Sequence, residues 1–287
     1  MSNSPLEPGA GADAAPERRL HDIGPRVLSA LVLAPAAVWC AIEGGPWLAG
    51  ACGAASVAMS YEWARMSEPD RQAEAFGFCF AGAFGAVAAA SWGYLAPALL
   101  WAAACGAASA LRRRTVVGMV ETFGGVIYVG SPCALFMALR ALDPGGLEAV
   151  LALFMIIWST DAAAYFGGTL IGGPRVSRRL SPQKTWSGLA SGVLAGTLAG
   201  LGCAALFGGA VGLWALAGGV LGAVGLAGDL FESLLKRRFG VKDASSLIPG
   251  HGGFLDRLDG LMAATVLTAL ALAVDPDLVE RLMGAAR

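Results

Sequence analysis

A chain of 287 residues that is 56% hydrophobic and only 14% charged, with a mean hydropathy of +0.63, lies outside the range of soluble globular domains and is read as an integral membrane protein. Its formal net charge of -1 hides a basic bias in the short gaps between apolar runs, so the total gives no footing for nucleic-acid binding, and none is expected. The six cysteines, Cys40, Cys52, Cys79, Cys105, Cys133 and Cys203, stand singly within apolar runs, which argues against a zinc site or a disulfide framework and leaves them as small packing residues.

Residues 1–22, rich in Ala, Gly, Pro and Glu and without an apolar core, are expected to form a disordered cytoplasmic tail. Apolar stretches follow near 27–43, 46–61, 75–91, 93–111, 116–139, 147–167, 188–207, 209–228 and 258–274. The fold expected is therefore all-α, a polytopic membrane helix bundle of about nine transmembrane helices, with N-terminal spans over 23–145 and a C-terminal region over 146–287. If the N-terminus is inside and the chain crosses nine times, 17 of the 20 Lys and Arg residues fall in inside segments, leaving only Arg140, Arg281 and Arg287 outside. That asymmetry places the segment after the eighth span on the cytoplasmic side of a cytoplasmic (inner) membrane, where nucleotides are available.

Gly192, Gly196 and Gly200 in the seventh span and Gly218 and Gly222 in the eighth recur four apart, the spacing that lets helices approach closely in lipid. A phosphate-cradling glycine loop should follow a strand, and no strand is expected here. Such glycines serve packing within the chain or a homodimer equally well.

Charge then concentrates in residues 228–260. If GDLFESLLKRR continues as a helix from Gly228, Asp229, Glu232, Ser233 and Lys236 share one face at i, i+3, i+4 and i+7. Asp256 and Asp259, three apart in DRLD, would stand side by side on the next helix. Carboxylates that close repel unless a cation sits between them, and a hard divalent ion such as Mg²⁺ suits a few carboxylate oxygens, with Asp229 the natural third. Between the two helical pieces Pro249, Gly250, Gly252 and Gly253 break any helix and permit a loop that wraps closely round a ligand. Lys236, Arg237, Lys242 and Arg257 add the cations that a polyphosphate needs, although KRR alone is more often a topogenic or headgroup-binding cluster. His251 either braces the loop or touches the substrate.

Ser233-Leu-Leu-Lys236-Arg237, Lys242-Asp243, Ser245, Ile248-Pro249, His251-Gly252-Gly253-Phe254 and Asp256-Arg257-Leu258-Asp259 together resemble the signature of the phosphatidate cytidylyltransferases, or CDP-diacylglycerol synthases. Asp161-Ala-Ala-Ala-Tyr165-Phe166-Gly167-Gly168 and Ser181-Pro182-Gln183-Lys184-Thr185-Trp186 also resemble segments of that family, with Ser187 standing where an acidic residue is expected. The resemblance implies a nucleotidyltransferase that joins CTP and phosphatidate, a membrane lipid, to give CDP-diacylglycerol and pyrophosphate in phospholipid biosynthesis. It implies metal ligation by Asp229, Asp256 and Asp259, with Mg²⁺ as cofactor, alone or with a monovalent cation. Lys236, Lys184 and Arg257 would offset phosphate charge, Ser233 would hold a phosphate or a metal-bound water, and Asp161 would lie in the site wall. The same chemistry serves a CDP-archaeol synthase or a polyprenol kinase, and charges at the edge of a glycine-rich bundle also describe a cation-coupled transporter. The 228–260 pattern has no second copy in the first half of the chain, which argues against transport.

Overall fold

The computed structural model describes residues 31–177, 180–245, 247 and 252–284. The expected tail, Arg178, Arg179 and His251 lie outside these residues. In chain order the helices are α1 (Leu31–Glu43), α2 (Gly45–Ser67), α3 (Gln72–Ser91), α4 (Leu95–Ala110), α5 (Val116–Arg140), α6 (Gly146–Leu170), α7 (Trp186–Phe207), α8 (Val211–Arg238), α9 (Leu255–Val274) and the short α10 (Leu278–Leu282). Each of the nine expected apolar segments is a helix, and six of them, α3 and α5–α9, are long and apolar enough to cross a membrane. Among the other three, α1 and α4 are shorter, and α2 carries Glu62 and Arg65 near its end. The protein is an all-α polytopic membrane protein. The one addition to the expected elements is a small antiparallel hairpin, β1 (Arg175–Ser177) with β2 (Ser181–Thr185), between α6 and α7.

Two groups of helices make the bundle. In the first, α2, α3, α4 and α5 pack on one another; in the second, α6 packs on α7, α7 on α8 and α8 on α9. Contacts of α9 with α5 join the groups. Lipid tails are as apolar as leucine, so helices in a bilayer gain little by hiding apolar surface and associate mainly through close packing. The glycine spacing supplies this at the α7–α8 crossing, where a Cβ on Gly196 would lie 2.7 Å from the Gly218 carbonyl oxygen and one on Gly218 would collide with the Gly196 carbonyl in turn.

Charge is sorted to the two ends of the bundle. At one end Glu68 of α2 pairs with Arg113 at 2.7 Å and Arg112 at 3.4 Å and accepts the Thr122 hydroxyl at 3.1 Å, while Arg238 of α8 meets Glu121 of α5 at 2.9 Å. The basic residues of these gaps therefore lace helices together as well as marking a membrane side. At the other end Arg140 donates to the carbonyls of Ala41 and Ile42 at 2.6 and 3.0 Å, a cation at the C-terminus of α1 where the helix dipole favours it.

Replacing Gly218 by Leu should therefore force the α7–α8 crossing apart and lower stability by roughly 1–3 kcal/mol or more, the scale of overpacking. Gly212→Ala in the same helix, where an added Cβ meets nothing within 4 Å, should leave it unchanged. Thermal unfolding of the two variants in one detergent compares them.

Candidate active site

Because α8 runs on to Arg238, Asp229, Glu232, Ser233 and Lys236 do share a face. Glu232 is 1% exposed, and Lys236 Nζ lies 3.6 Å from its Oε2. The same ammonium makes a closer ion pair with Asp256 Oδ1 of α9. Asp256 sits in the first turn of α9, where a carboxylate complements the helix dipole, and its Oδ2 accepts the Gly253 N–H at 3.1 Å. One turn on, Asp259 faces α8, with Oδ1 accepting the Gly260 N–H at 2.6 Å.

Among the described residues the acidic side chains that converge are Asp229, Glu232 and Asp259, each offering an oxygen within 4.8 Å of the others. Asp256, expected beside Asp259 in that group, is turned aside to Lys236, and Glu232 stands in the third place. Both oxygens of Glu232 and Oδ2 of Asp259 are buried without a hydrogen-bond partner. A buried carboxylate left without donors costs several kcal/mol, so this oxygen set fits a hard cation such as Mg²⁺, which needs a few carboxylate ligands and shares its other positions with water and phosphate.

A fifth carboxylate ties Ser245 to the start of α9. Glu62, fully buried near the end of α2, accepts the Ser245 hydroxyl and the backbone N–H of Phe254 at 2.9 Å through Oε1, and the N–H of Leu255 at 2.8 Å through Oε2. The first N–H groups of α9 have no partner within the helix, and this anion satisfies two of them where the dipole is positive. Gly253 makes the approach possible, since a Cβ there would lie 2.7–2.9 Å from the Glu62 carboxylate. Gly252, three residues before α9, has φ +82°, a conformation that only glycine adopts readily.

The segment between α6 and α7 reaches the same place. Lys184, on β2, pairs its Nζ with Asp229 Oδ1 at 2.6 Å. Thr185 caps α7 by accepting the Gly188 N–H at 3.1 Å, and Ser187 donates its hydroxyl to the Gly172 carbonyl, so the serine that replaces an expected acid ties the turn together. Asp161 of α6 faces this region, where the charges of Asp229, Arg257 and Lys184 act on it. Arg237 donates to the Val241 carbonyl at 3.2 Å and closes the C-terminus of α8, and Lys242 is exposed on the turn beyond. Ser233 is half-buried beside Glu232.

Glu62 was not expected to bear on the site, and Glu232, expected on the α8 face of Asp229 and Lys236, was not expected as a metal ligand. Each carried a signal, since Glu62 is a carboxylate at the edge of an apolar span and Glu232 shares the α8 face of Asp229 and Lys236. Fold and site together define a multi-pass membrane protein with a buried set of acids and lysines at one end of its bundle, suited to holding a cation and phosphate groups. A model of the cytidylyltransferase family matches residues 24–275, and the chain belongs to that family. It is 35% identical over 264 residues to a phosphatidate cytidylyltransferase of Brucella suis biovar 1 (strain 1330), covering 90% of this chain and 97% of that protein. It is 34% identical over 267 residues to that of Brucella abortus biovar 1 (strain 9-941), covering 91% and 98%. The protein of that name from Bacillus subtilis (strain 168) is 37% identical over 142 residues, 47% of this chain and 51% of the relative.

Glu62→Ala should strand the Ser245 hydroxyl and two α9 N–H groups, each at about 1–3 kcal/mol, and cause a large loss of thermal stability. Glu62→Gln, which keeps one acceptor oxygen, should fall between that variant and the wild type in the same unfolding measurement.

Proposed function

We propose that the chain transfers the cytidylyl group of CTP to phosphatidate, releasing pyrophosphate and leaving CDP-diacylglycerol in the membrane. The observation that carries this reading is the convergence of Asp229, Glu232 and Asp259, with oxygens of Glu232 and Asp259 buried without a hydrogen-bond partner, beside Lys236 and Lys184, in a chain that aligns along nearly its whole length with phosphatidate cytidylyltransferases. The bias of 17 of 20 basic residues to one set of gaps supports a cytoplasmic site and a place in the cytoplasmic (inner) membrane.

In the reaction an oxygen of the phosphatidate phosphate attacks the α-phosphorus of CTP. The bond from that phosphorus to the oxygen bridging the β-phosphate breaks, and pyrophosphate leaves with the electron pair. The second pKa of a phosphomonoester is about 6, so the attacking oxygen is already anionic near neutral pH and needs no general base. What the protein must supply is position and charge compensation. Asp229, Glu232 and Asp259 would hold Mg²⁺, which when bound neutralises phosphate charge and that of the departing pyrophosphate. Lys236, fixed between Glu232 and Asp256, presents a cation of set position to the nucleotide phosphates. Lys184, carried in by the α6–α7 segment and paired with Asp229, supplies a second one. Each lysine is held by an acid before substrate arrives, so little ordering remains to be done on binding. Arg257 and Asp161 complete the polar wall, and the Gly252–Gly253 turn brings backbone close enough to contact a ligand.

Purified protein in detergent, given Mg²⁺, labelled CTP and phosphatidate, should form lipid-soluble CDP-diacylglycerol. Asp259→Ala should reduce the rate by about 100-fold or more, since the charge stabilisation at stake is several kcal/mol and each 1.4 is a factor of ten. A folded protein that binds CTP but makes no product from phosphatidate would overturn this acceptor and point to a different membrane lipid.

A further inference from the structure

Helices of this bundle begin in different ways. Thr115 caps α5 and Thr185 caps α7 with their own hydroxyls, each accepting an N–H at 3.1 Å. At the start of α9 the N-cap is Phe254, whose side chain has no acceptor to offer. The cap comes from another helix instead: Glu62 of α2, 192 positions earlier in the chain, accepts the Phe254 N–H, and its second oxygen accepts that of Leu255. Asp256 takes the Gly253 N–H. Three successive N–H groups at the positive end of α9 are thus held by two acids, one of them from the other group of helices.

The end of α2 holds more than this helix start. Glu62 Oε1 also accepts the Ser245 hydroxyl, and Ser245 in turn accepts the Leu247 N–H at 3.2 Å. Next to Glu62, Trp63 meets the ring of Phe239, the residue after α8, edge-on with centroids 5.5 Å apart. Ser245 belongs to the signature, where the resemblance gives it no part in the chemistry. Its bond to Glu62 supplies one.

We propose that Glu62, acting with Ser245, is a positioning residue for the reaction: it caps α9 from the opposite helix group and fixes the turn that aims Asp259 at Asp229 and Glu232, and Asp256 at Lys236. The proposal rests on the cation and phosphate reading above. Leu255, whose N–H Glu62 holds, is four residues before Asp259, so the helical bond of the Asp259 N–H returns to the Leu255 carbonyl. One helical hydrogen bond therefore separates the cap from the acid that converges on α8. Helix starts fray when their N–H groups lose their partners, and a site displaced by about 1 Å can lose 100-fold in rate. Stability alone would be served by a threonine or aspartate at the N-cap, as at α5 and α7, with no need to bury a carboxylate in α2. A cap brought from α2 does what a local one cannot, which is to set α9 against the rest of the bundle.

Mn²⁺ binding to purified full-length protein, read by electron paramagnetic resonance without nucleotide or lipid and well below the unfolding temperature, separates positioning from stability. Ser245→Ala keeps both backbone bonds and should weaken Mn²⁺ about threefold, Glu62→Gln about three- to tenfold, and Glu62→Ala, where it folds, tenfold or more. Because Ser245 acts through Glu62, Glu62→Gln with Ser245→Ala should lose less than the product of the two single effects. At saturating Mg²⁺, kcat should fall in the same order while KM for phosphatidate stays at the wild-type value. Arg140→Ala, which removes two bonds at the other end of the bundle, should unfold at a lower temperature yet bind Mn²⁺ as the wild type does. Wild-type Mn²⁺ affinity in folded Glu62→Gln and Ser245→Ala, with only the unfolding temperature lowered, would overturn the proposal and leave Glu62 a structural cap. A wild type that binds no Mn²⁺ would overturn the ligand set and the proposal together. The graded loss of Mn²⁺ in a protein that makes nothing from phosphatidate would support the positioning role and remove that acceptor alone.

Discussion

A carboxylate carried into a membrane bundle must be neutralised, and the arrangement of the charged end follows from how each one is. Asp161, Asp229, Glu232, Asp256 and Asp259 converge there with Lys184, Lys236 and Arg257, an excess of two negative charges. Lys236 satisfies Asp256, Lys184 satisfies one oxygen of Asp229, and backbone donors satisfy Glu62. What is left over is concentrated on Glu232 and Asp259, which each offer an oxygen within 4.8 Å of the other across the α8–α9 contact. One divalent cation, as proposed, would match an excess of two charges at a place where three carboxylates meet.

Helix packing serves that convergence. Glycines at the α7–α8 crossing bring the two backbones together and so bring Lys184, just before α7, against Asp229 on α8. The start of α9 is fixed from the other group of helices, by Glu62 on α2, which sets the rotation of α9 and hence where Asp256 and Asp259 point. The helices before residue 145 therefore do more than anchor the chain. Glu62 ties Ser245 to the start of α9.

Much of this is legible in the residues taken in order. Apolar runs mark the nine helices, and spacings of three, four and seven put Asp229, Glu232, Ser233 and Lys236 on one face of α8. The glycine spacing marks the tight crossing. The grouping of the acids is less visible, because residues three apart on a helix still differ by about 60° in direction, enough for Asp256 to meet Lys236 while Asp259 turns to Asp229 and Glu232. The Glu62 contact spans more than 180 positions and leaves no local pattern. The hairpin before α7 is missed because its strands, Arg175–Ser177 and Ser181–Thr185, are too short and polar to show alternation. There Ser187 takes a structural bond in place of a charge.

The claim that one divalent cation completes the site through Asp229, Glu232 and Asp259 is tested most directly by titrating purified protein with Mn²⁺ and counting bound ion by electron paramagnetic resonance, beside Glu232→Gln. The account requires one Mn²⁺ per chain, displaced by Mg²⁺, with affinity reduced tenfold or more in the variant, about 1.4 kcal/mol at the least for a lost carboxylate ligand. Equal binding by the two proteins would contradict it, and would return the third ligand position to Asp256.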